Sequence, residues 1–398
     1  MSLFDKFEQI AAGRQALADR GITSNVVMEK VISPTEAVIN SRHMILAGTN
    51  NYLGLTFDPD CIEASATAVR EQGTGTTGSR MANGTYSDHV QLEQELADFF
   101  ECKYGMVFST GYIANLAMLS ALTGPADVLL IDADSHASIY DGCRLSGAEI
   151  IRFRHNDSEN LAKRLQRLGD RAPNTLIIVE GIYSMLGDRS PLAEIAEVKE
   201  KYGTYLLVDE AHSLGVLGQH GRGLAEEVGV EDKVDFIVGT FSKSLGAIGG
   251  FCVSNCSVLE MISFAARPYM FTASSSPSVI ASTRVALQIL RTRSELRNKL
   301  WENANQLYQQ LQNLGFQLGP EPSPVVAVRV SNIDQAIALW KGLLEHGVYV
   351  NLVTPPATPD GGCLLRCSVS AGHSAEQIDQ IAGAFASLKA AIPETETA

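Results

Sequence analysis

Between about residue 58 and residue 253, short apolar runs alternate with amphipathic helical stretches, and this alternation restricts the available folds more than any other feature. The runs are Met106–Phe108, Val128–Ile131, Ile150–Phe153, Leu176–Val179, Leu206–Val208 and Phe236–Val238. Each is short and flanked by residues such as Gly, Asp or Pro, the pattern of strands buried on both faces. Helical stretches lie between them. Ser87 to Glu101 sets Leu92, Leu96, Phe99 and Phe100 on one stripe, with Ser87 as the N-cap. Leu192–Tyr202 is closed by Gly203. Alternating β and α elements predict an α/β fold with a mainly parallel sheet sandwiched by helices.

The pattern changes near residue 280. One long helix is predicted from Ile280 to Leu314, then Val325–Val330, a helix from Ile333 to His346, Val348–Val350 and Leu364–Cys367. A last helix spaces Ile378, Ile381, Phe385 and Leu388 by three or four residues. The chain thus divides into 1–57, an N-terminal helix and β segment; 58–280, a large α/β domain; and 281–398, a smaller α+β domain whose PETETA tail frays. In the first 20 residues, Leu3, Phe4, Phe7, Ile10 and Leu17 have helical spacing. That reads as a helix docked on the body, with a face for a membrane surface or an acyl channel as the sharper alternative.

A net charge of −14 argues against a general nucleic-acid binder. No run reaches the ~18 apolar residues of a membrane span, and MSLFDKFEQI lacks the parts of a signal peptide. The expectation is a cytoplasmic protein with at most peripheral contact at the inner membrane. Seven scattered cysteines suit a reducing compartment. Cys252/Cys256 and Cys363/Cys367 sit in strand-like surroundings, which favours buried packing over a metal site.

Four pieces carry chemistry, each at the end of, or inside, a predicted strand. Asp209 ends Leu206–Val208, and an acid there needs a cation such as a protonated ring nitrogen; capping the next turn is the other reading. His212, three residues on, could reach the same ring. Lys243 lies just past Phe236–Val238 among Thr240, Ser242 and Ser244, which suits an imine beside a phosphate site. A surface lysine is the plainer reading, weakened by the buried-looking Gly249-Gly250-Phe251-Cys252-Val253. Its position 34 residues after Asp209 (243 − 209) sharpens the pair. The turn Ser109 to Asn115, with Gly111 and Tyr112, can cradle an anion, although many α/β turns look alike. His136, after another strand, is either a satisfied structural residue or an aromatic face for a cofactor. Arg366, inside Leu364–Cys367, calls for an anion: a substrate carboxylate or an internal salt bridge.

Together these residues resemble the α-oxoamine synthase family of fold-type I pyridoxal-phosphate enzymes, with an aspartate aminotransferase-like fold, from about Phe4 to Phe385. The telling stretches are Ser33-Pro-Thr-Glu-Ala-Val, Asp132-Ala-Asp-Ser-His-Ala-Ser-Ile-Tyr-Asp-Gly-Cys, Tyr183-Ser-Met-Leu-Gly-Asp, Val238-Gly-Thr-Phe-Ser-Lys-Ser, Arg267-Pro-Tyr-Met-Phe-Thr-Ala-Ser and Pro355-Pro-Ala-Thr-Pro. The first and last favour the branch that uses serine and a palmitoyl thioester. The resemblance implies pyridoxal 5′-phosphate bound to Lys243, His136 stacked on its ring, Asp209 at its nitrogen and His212 at its phenolic oxygen. Thr240, Ser242, Gly111 and Tyr112 would bind its phosphate. Thr272 and Ala273 would reach the phosphate of a second subunit, making a homodimer with shared sites. Asn51, His136 and Arg366 would face the substrate.

The implied reaction is decarboxylative condensation of L-serine with a long-chain acyl-CoA, or acyl carrier protein, to 3-ketodihydrosphingosine, the first step of sphingolipid synthesis. Two positions depart from the family pattern: Thr354 precedes Pro355-Pro356 where Arg is usual, and Asn50 stands where an aromatic is frequent. Thr354 bears on a second guanidinium contact to the substrate. A sister enzyme using glycine or alanine, and a non-catalytic partner subunit, are the alternatives. A nicotinamide Rossmann enzyme fits less well, because the glycine-rich residues 73–84 follow a helical pattern rather than a strand.

Overall fold

The computed structural model describes residues 2–22, 26–355, 357–358 and 361–389. All six apolar runs form strands; five are buried, as runs without polar alternation require, whereas Ile150–Phe153 lies at the sheet edge with only Phe153 buried. They are β4 (Tyr104–Phe108), β5 (Val128–Asp132), β6 (Glu149–Phe153), β7 (Thr175–Glu180), β8 (Tyr205–Asp209) and β9 (Phe236–Thr240), joined by β10 (Gly250–Ser254). Preceding them are β1 (Lys30–Ser33), β2 (Glu36–Ile39) and β3 (Arg42–Leu46). The order in the seven-stranded sheet is β4-β10-β9-β8-β7-β5-β6, and every neighbouring pair is parallel except the two made by β10. Leu206, Leu207 and Val208 are wholly buried in β8. Each such side chain contributes about 1.5–3 kcal/mol from burial. The result is a mainly parallel sheet between helices, as the alternation predicts.

Helices α1 (Glu8–Asp19), α2 (Pro59–Gln72), α3 (Ser87–Phe99), α4 (Gly111–Leu122) and α5 (Ala137–Ser146) include the two that open at the site, α4 and α5. Ser87 is not the N-cap of α3. It is the first helical residue, and the Tyr86 amide donates to Nδ1 of His89 at 3.2 Å. The glycine-rich residues 73–84 follow α2, as the pattern indicated.

The predicted helix 280–314 is two helices, Pro277–Thr292 and Ser294–Asn313. They part at Arg293, whose φ of −117° and ψ of 65° leave the helical region while its amide still bonds Ile289. No glycine or proline marks that break. Beyond it, β11 (Val325–Val330), β13 (Asn351–Val353) and β14 (Cys363–Ser368) form an antiparallel sheet in the order β11-β14-β13, packed with helices Ile333–Glu345 and Ala375–Lys389. The run at 348–350 shortens to β12 (Val348–Tyr349) and pairs in parallel with β3, completing the N-terminal sheet β1-β2-β3-β12. The PETETA tail and Pro356 and Pro359 of the proline motif lie outside the described residues.

The N-terminal helix forms, but it is not docked as expected. No residue of α1 is buried, and Leu3, Phe4 and Ile10 are 73%, 70% and 66% exposed. Attachment comes only after the helix, where Arg20 pairs with Asp334 at 2.7 Å and Ile22 and Val26 pack on the C-terminal core. Among the described residues, none buries a side chain of this helix. Among the described residues no helix is long and apolar enough to cross a membrane.

Candidate active site

The parallel strands bring their C-terminal ends to one rim, and there acids enter the interior. β8 ends on Asp209, β7 on Glu180 and β5 on Asp132; Glu180 and Asp209 stand opposite each other in register. Buried acids are costly unless each finds donors or a cation. Asp209 accepts from Asn115 Nδ2 at 2.7 Å and from the Ala211 amide at 2.9 Å. Glu180 accepts the His136 amide at 2.5 Å. Burial, reinforced by the Asp209 charge, pushes the Glu180 carboxyl well above the usual carboxylate range.

A cavity of about 270 Å³ opens on this rim. Lys243 enters it from the turn between β9 and β10. Burial pulls its ammonium down to about 8, against the opposing pull of Asp209 and Glu180. His136 caps α5, its Nδ1 accepting from the Ser138 amide at 3.2 Å. Burial lowers the His136 pKa, with Asp209 opposing and Lys243 assisting. The His212 imidazole is pushed far down by burial, then by the charges of Lys243 and Arg366. Its Nδ1 lies 2.7 Å from the Tyr52 hydroxyl.

At the other end of the cavity α4 begins. Thr110 caps it by accepting the Ile113 amide at 3.0 Å, which leaves the amides of the first turn directed outward for an anion. Gly111 must be glycine, since a Cβ there would come within 2.8 Å of the Thr240 Cβ. That closeness brings the hydroxyls of Thr240 and Ser242, 2.9 Å apart, beside the same helix end.

One layer further out lies Arg366 of β14, buried. Nε donates to the Ser184 carbonyl at 2.6 Å, Nη1 to Ser368 Oγ at 2.8 Å, and both Nη1 and Nη2 reach Asn50 Oδ1 at 3.1 Å. These four bonds all go to neutral oxygens, and among the described residues no carboxylate forms a salt bridge with the guanidinium. Tyr52 links this layer to His212, since its hydroxyl also feels the Arg366 charge.

Gly111, Tyr112, His136, Asp209, His212, Thr240, Ser242 and Lys243 all line the one cavity. Thr272 and Ala273 do not; they border a separate recess with Arg80, His89 and Tyr269. Asn51 is buried behind the site, donating to Thr56 Oγ1 at 2.7 Å, with its Oδ1 unpartnered. Thr354 is half-buried after β13. Sequence reasoning passed over Glu180, Asn115, Ser138 and Tyr52. Glu180 carried the same signal as Asp209, an acid closing a buried strand.

The donor set fits pyridoxal 5′-phosphate. It offers an amine of lowered basicity, a carboxylate for a ring nitrogen, an imidazole face and a helix start flanked by hydroxyls. Asn115, which braces Asp209, keeps its own Oδ1 buried without a partner. Among the described residues no group of three or more His, Cys, Asp or Glu is arranged to hold a metal.

The model of the aminotransferase class I and II family matches residues 42–385. The chain is 58% identical over 393 residues to a serine palmitoyltransferase of Caulobacter vibrioides, covering 98% of this chain and 97% of that one. It is 51% identical over 387 residues to a serine palmitoyltransferase of Sphingomonas paucimobilis, covering 96% and 92%. A solved structure of SPT with a PLP internal aldimine superposes with a TM-score of 0.96 at 50% identity, covering 98% of this chain and 99% of that one.

Proposed function

The chain belongs to the aminotransferase class I and II family, alongside its serine palmitoyltransferases, and from that premise we propose that it is a pyridoxal-phosphate-dependent acyltransferase. It condenses L-serine with a long-chain acyl thioester such as palmitoyl-CoA. CO₂ and the free thiol leave, and 3-ketodihydrosphingosine forms, opening sphingolipid synthesis. The observation that carries this reading is the meeting of Lys243, Asp209 and the α4 start in one cavity.

Bound pyridoxal phosphate supplies an electron sink for the charge left on the serine Cα. Lys243 would anchor the cofactor, and its amine, in the neutral form, would take the Cα proton. An ammonium lowered to about 8 makes that neutral form accessible near physiological pH, which an ordinary lysine at ~10.4 would not. Asp209 holds a proton on the ring nitrogen, and Asn115 and the Ala211 amide keep its carboxylate aimed. The His136 imidazole, its pKa lowered by burial, would stack on the ring. His212, whose Nδ1 lies 2.7 Å from the Tyr52 hydroxyl, would meet the phenolic oxygen through Nε2. Gly111, Tyr112, Thr240 and Ser242 bind the phosphate.

Arg366 binds the serine carboxylate, with Asn51 beside it. The unit is a homodimer in which Thr272 and Ala273 complete the phosphate site of the partner. Two features support that: both residues lie apart from their own cavity, and Phe264 and Phe271 nearby are 66% and 73% exposed.

Near-ultraviolet and visible absorbance of the purified chain, titrated separately with L-serine, L-alanine and glycine, tests the reading. A cofactor band answering selectively to L-serine supports it. A larger response to glycine or alanine assigns the chain to a sister reaction, and no band after adding pyridoxal phosphate overturns the proposal.

A further inference from the structure

Behind the cavity wall lies a knot of charged residues that the steps above do not use. His155 follows β6, and its ring nitrogens reach in opposite directions: Nδ1 is 2.8 Å from Asp132 and Nε2 is 2.6 Å from Asp188. Asn156, at a φ of 52°, donates its amide to the other Asp132 oxygen at 2.9 Å. Its Nδ2 donates to Asp188 at 2.9 Å and to the Arg189 carbonyl at 3.0 Å. The Tyr183 ring stands edge-on to the imidazole, with centroids 4.5 Å apart. Burial works against charge on His155, yet the bonds to both carboxylates prevail and push it up to about 10. The group is therefore a cation between two buried acids.

What the knot holds is the hairpin of residues 181–190. The Tyr183 amide donates to the Asp188 carbonyl at 2.8 Å, Ile182 bridges Arg189, and the Gly181 amide donates to the Asp209 carbonyl at 2.9 Å. Near its tip, Ser184 offers the carbonyl that takes the Nε proton of Arg366. A continuous path of short bonds thus runs from His155 to the guanidinium.

We propose that His155 is a positioning residue for the amino-acid substrate: fixed between Asp132 and Asp188, it holds the 181–190 hairpin so that the Ser184 carbonyl aims Arg366 at the substrate carboxylate. The inference rests on the reading of Arg366 as the holder of that carboxylate. Without the imidazole, Asp132 and Asp188 face each other with no cation between them, and the hairpin shifts away from Arg366.

A double-mutant cycle on the holoenzyme, read by equilibrium binding, tests it. Wild type, H155Q, R366K and the double variant are titrated with L-serine and with serinol, which keeps the amine and hydroxymethyl groups but lacks the carboxylate. H155Q weakens serine binding about tenfold, leaves serinol binding unchanged and adds nothing once R366K is present. Unchanged serine binding in H155Q, an equal loss for serinol, or losses that add to those of R366K would each overturn the proposal. Should H155Q not fold, D188N, which frees the hairpin while leaving His155 on Asp132, is held to the same criteria. R366K binding serine as wild type does would refute the Arg366 reading itself, and the proposal with it; that outcome is visible in the single variant.

Discussion

The seven-stranded sheet and the three-stranded sheet place polar groups differently. In the first, Asp132, Glu180, Asp209 and Thr240 all stand at the same rim, because β5, β7, β8 and β9 run in one direction and end together. In the second, β11, β14 and β13 are antiparallel, so neighbouring strands end at opposite sides. Arg366 sits mid-strand there, opposite Ala327 and Asn351. Parallel order gathers several side chains into one cluster, and that cluster can hold a cofactor. Antiparallel order can offer a single side chain from a face, which suffices to bind a carboxylate. Chemistry should therefore reside in the larger sheet and substrate affinity in the smaller.

The strongest challenge to that division is Lys243→Ala. Turnover should fall by about a thousandfold or more while the thermal melt stays near wild type. In the wild type, kcat should rise with pH through about 8, as the ammonium becomes the amine that accepts the proton. A flat profile across that range would remove Lys243 from proton transfer. Next in size, Asp209→Asn should cost about a hundredfold in kcat, because an amide keeps the geometry but not the charge. Glu180→Gln, directly opposite in register, should change kcat by no more than about threefold, since its carboxyl keeps its proton and an amide oxygen still accepts the His136 amide.

In the smaller sheet, Arg366→Lys should raise the KM for serine by about tenfold with a much smaller change in kcat, because an ammonium lacks the two-pronged geometry. A kcat loss as large as that of Asp209→Asn would break the comparison.

A weaker effect concerns stability. His373 joins the C-terminal sheet to β3, with Nδ1 accepting the Ser370 amide at 2.9 Å and Nε2 3.2 Å from the Leu46 carbonyl. Burial lowers it to about 4. The unfolded chain takes up this proton near pH ~6.5 and the folded chain only lower, so stability is intact above that value and declines as pH falls toward 4. The loss has a ceiling of about 3 kcal/mol. Urea midpoints across this window should show the slope, and His373→Gln should flatten it. Smallest of all, removing residues 2–19 should shift stability by less than about 1 kcal/mol, since α1 buries nothing in one chain. A larger drop would mean that another copy covers its apolar face.

The larger sheet was legible because an unbroken apolar run is hard to place anywhere but between two covering layers. Asp209 and Lys243 stood out as polar residues closing such runs. Glu180 had the same signature and was passed over, so its omission was one of weighting. Asn115 and Tyr52 had no local signal: they act across 94 and 160 residues of chain, between elements whose approach only folding decides. The split at Arg293 left no mark because both helices keep apolar periodicity up to the break. For α1 the periodicity predicts the helix, but a stripe says only that a face wants cover, and the described residues supply none.

The pairing of β3 with β12 affects how the chain is made. Ile45 waits for Val348, 303 residues later (348 − 45). At about 5–20 residues per second, the ribosome needs roughly 15–60 s to deliver the missing strand. Throughout that interval the outer side of Met44–Leu46 is an unpaired edge, the kind of surface that recruits other nascent chains. The first sheet to emerge during synthesis is closed only after every strand of the seven-stranded sheet has been made.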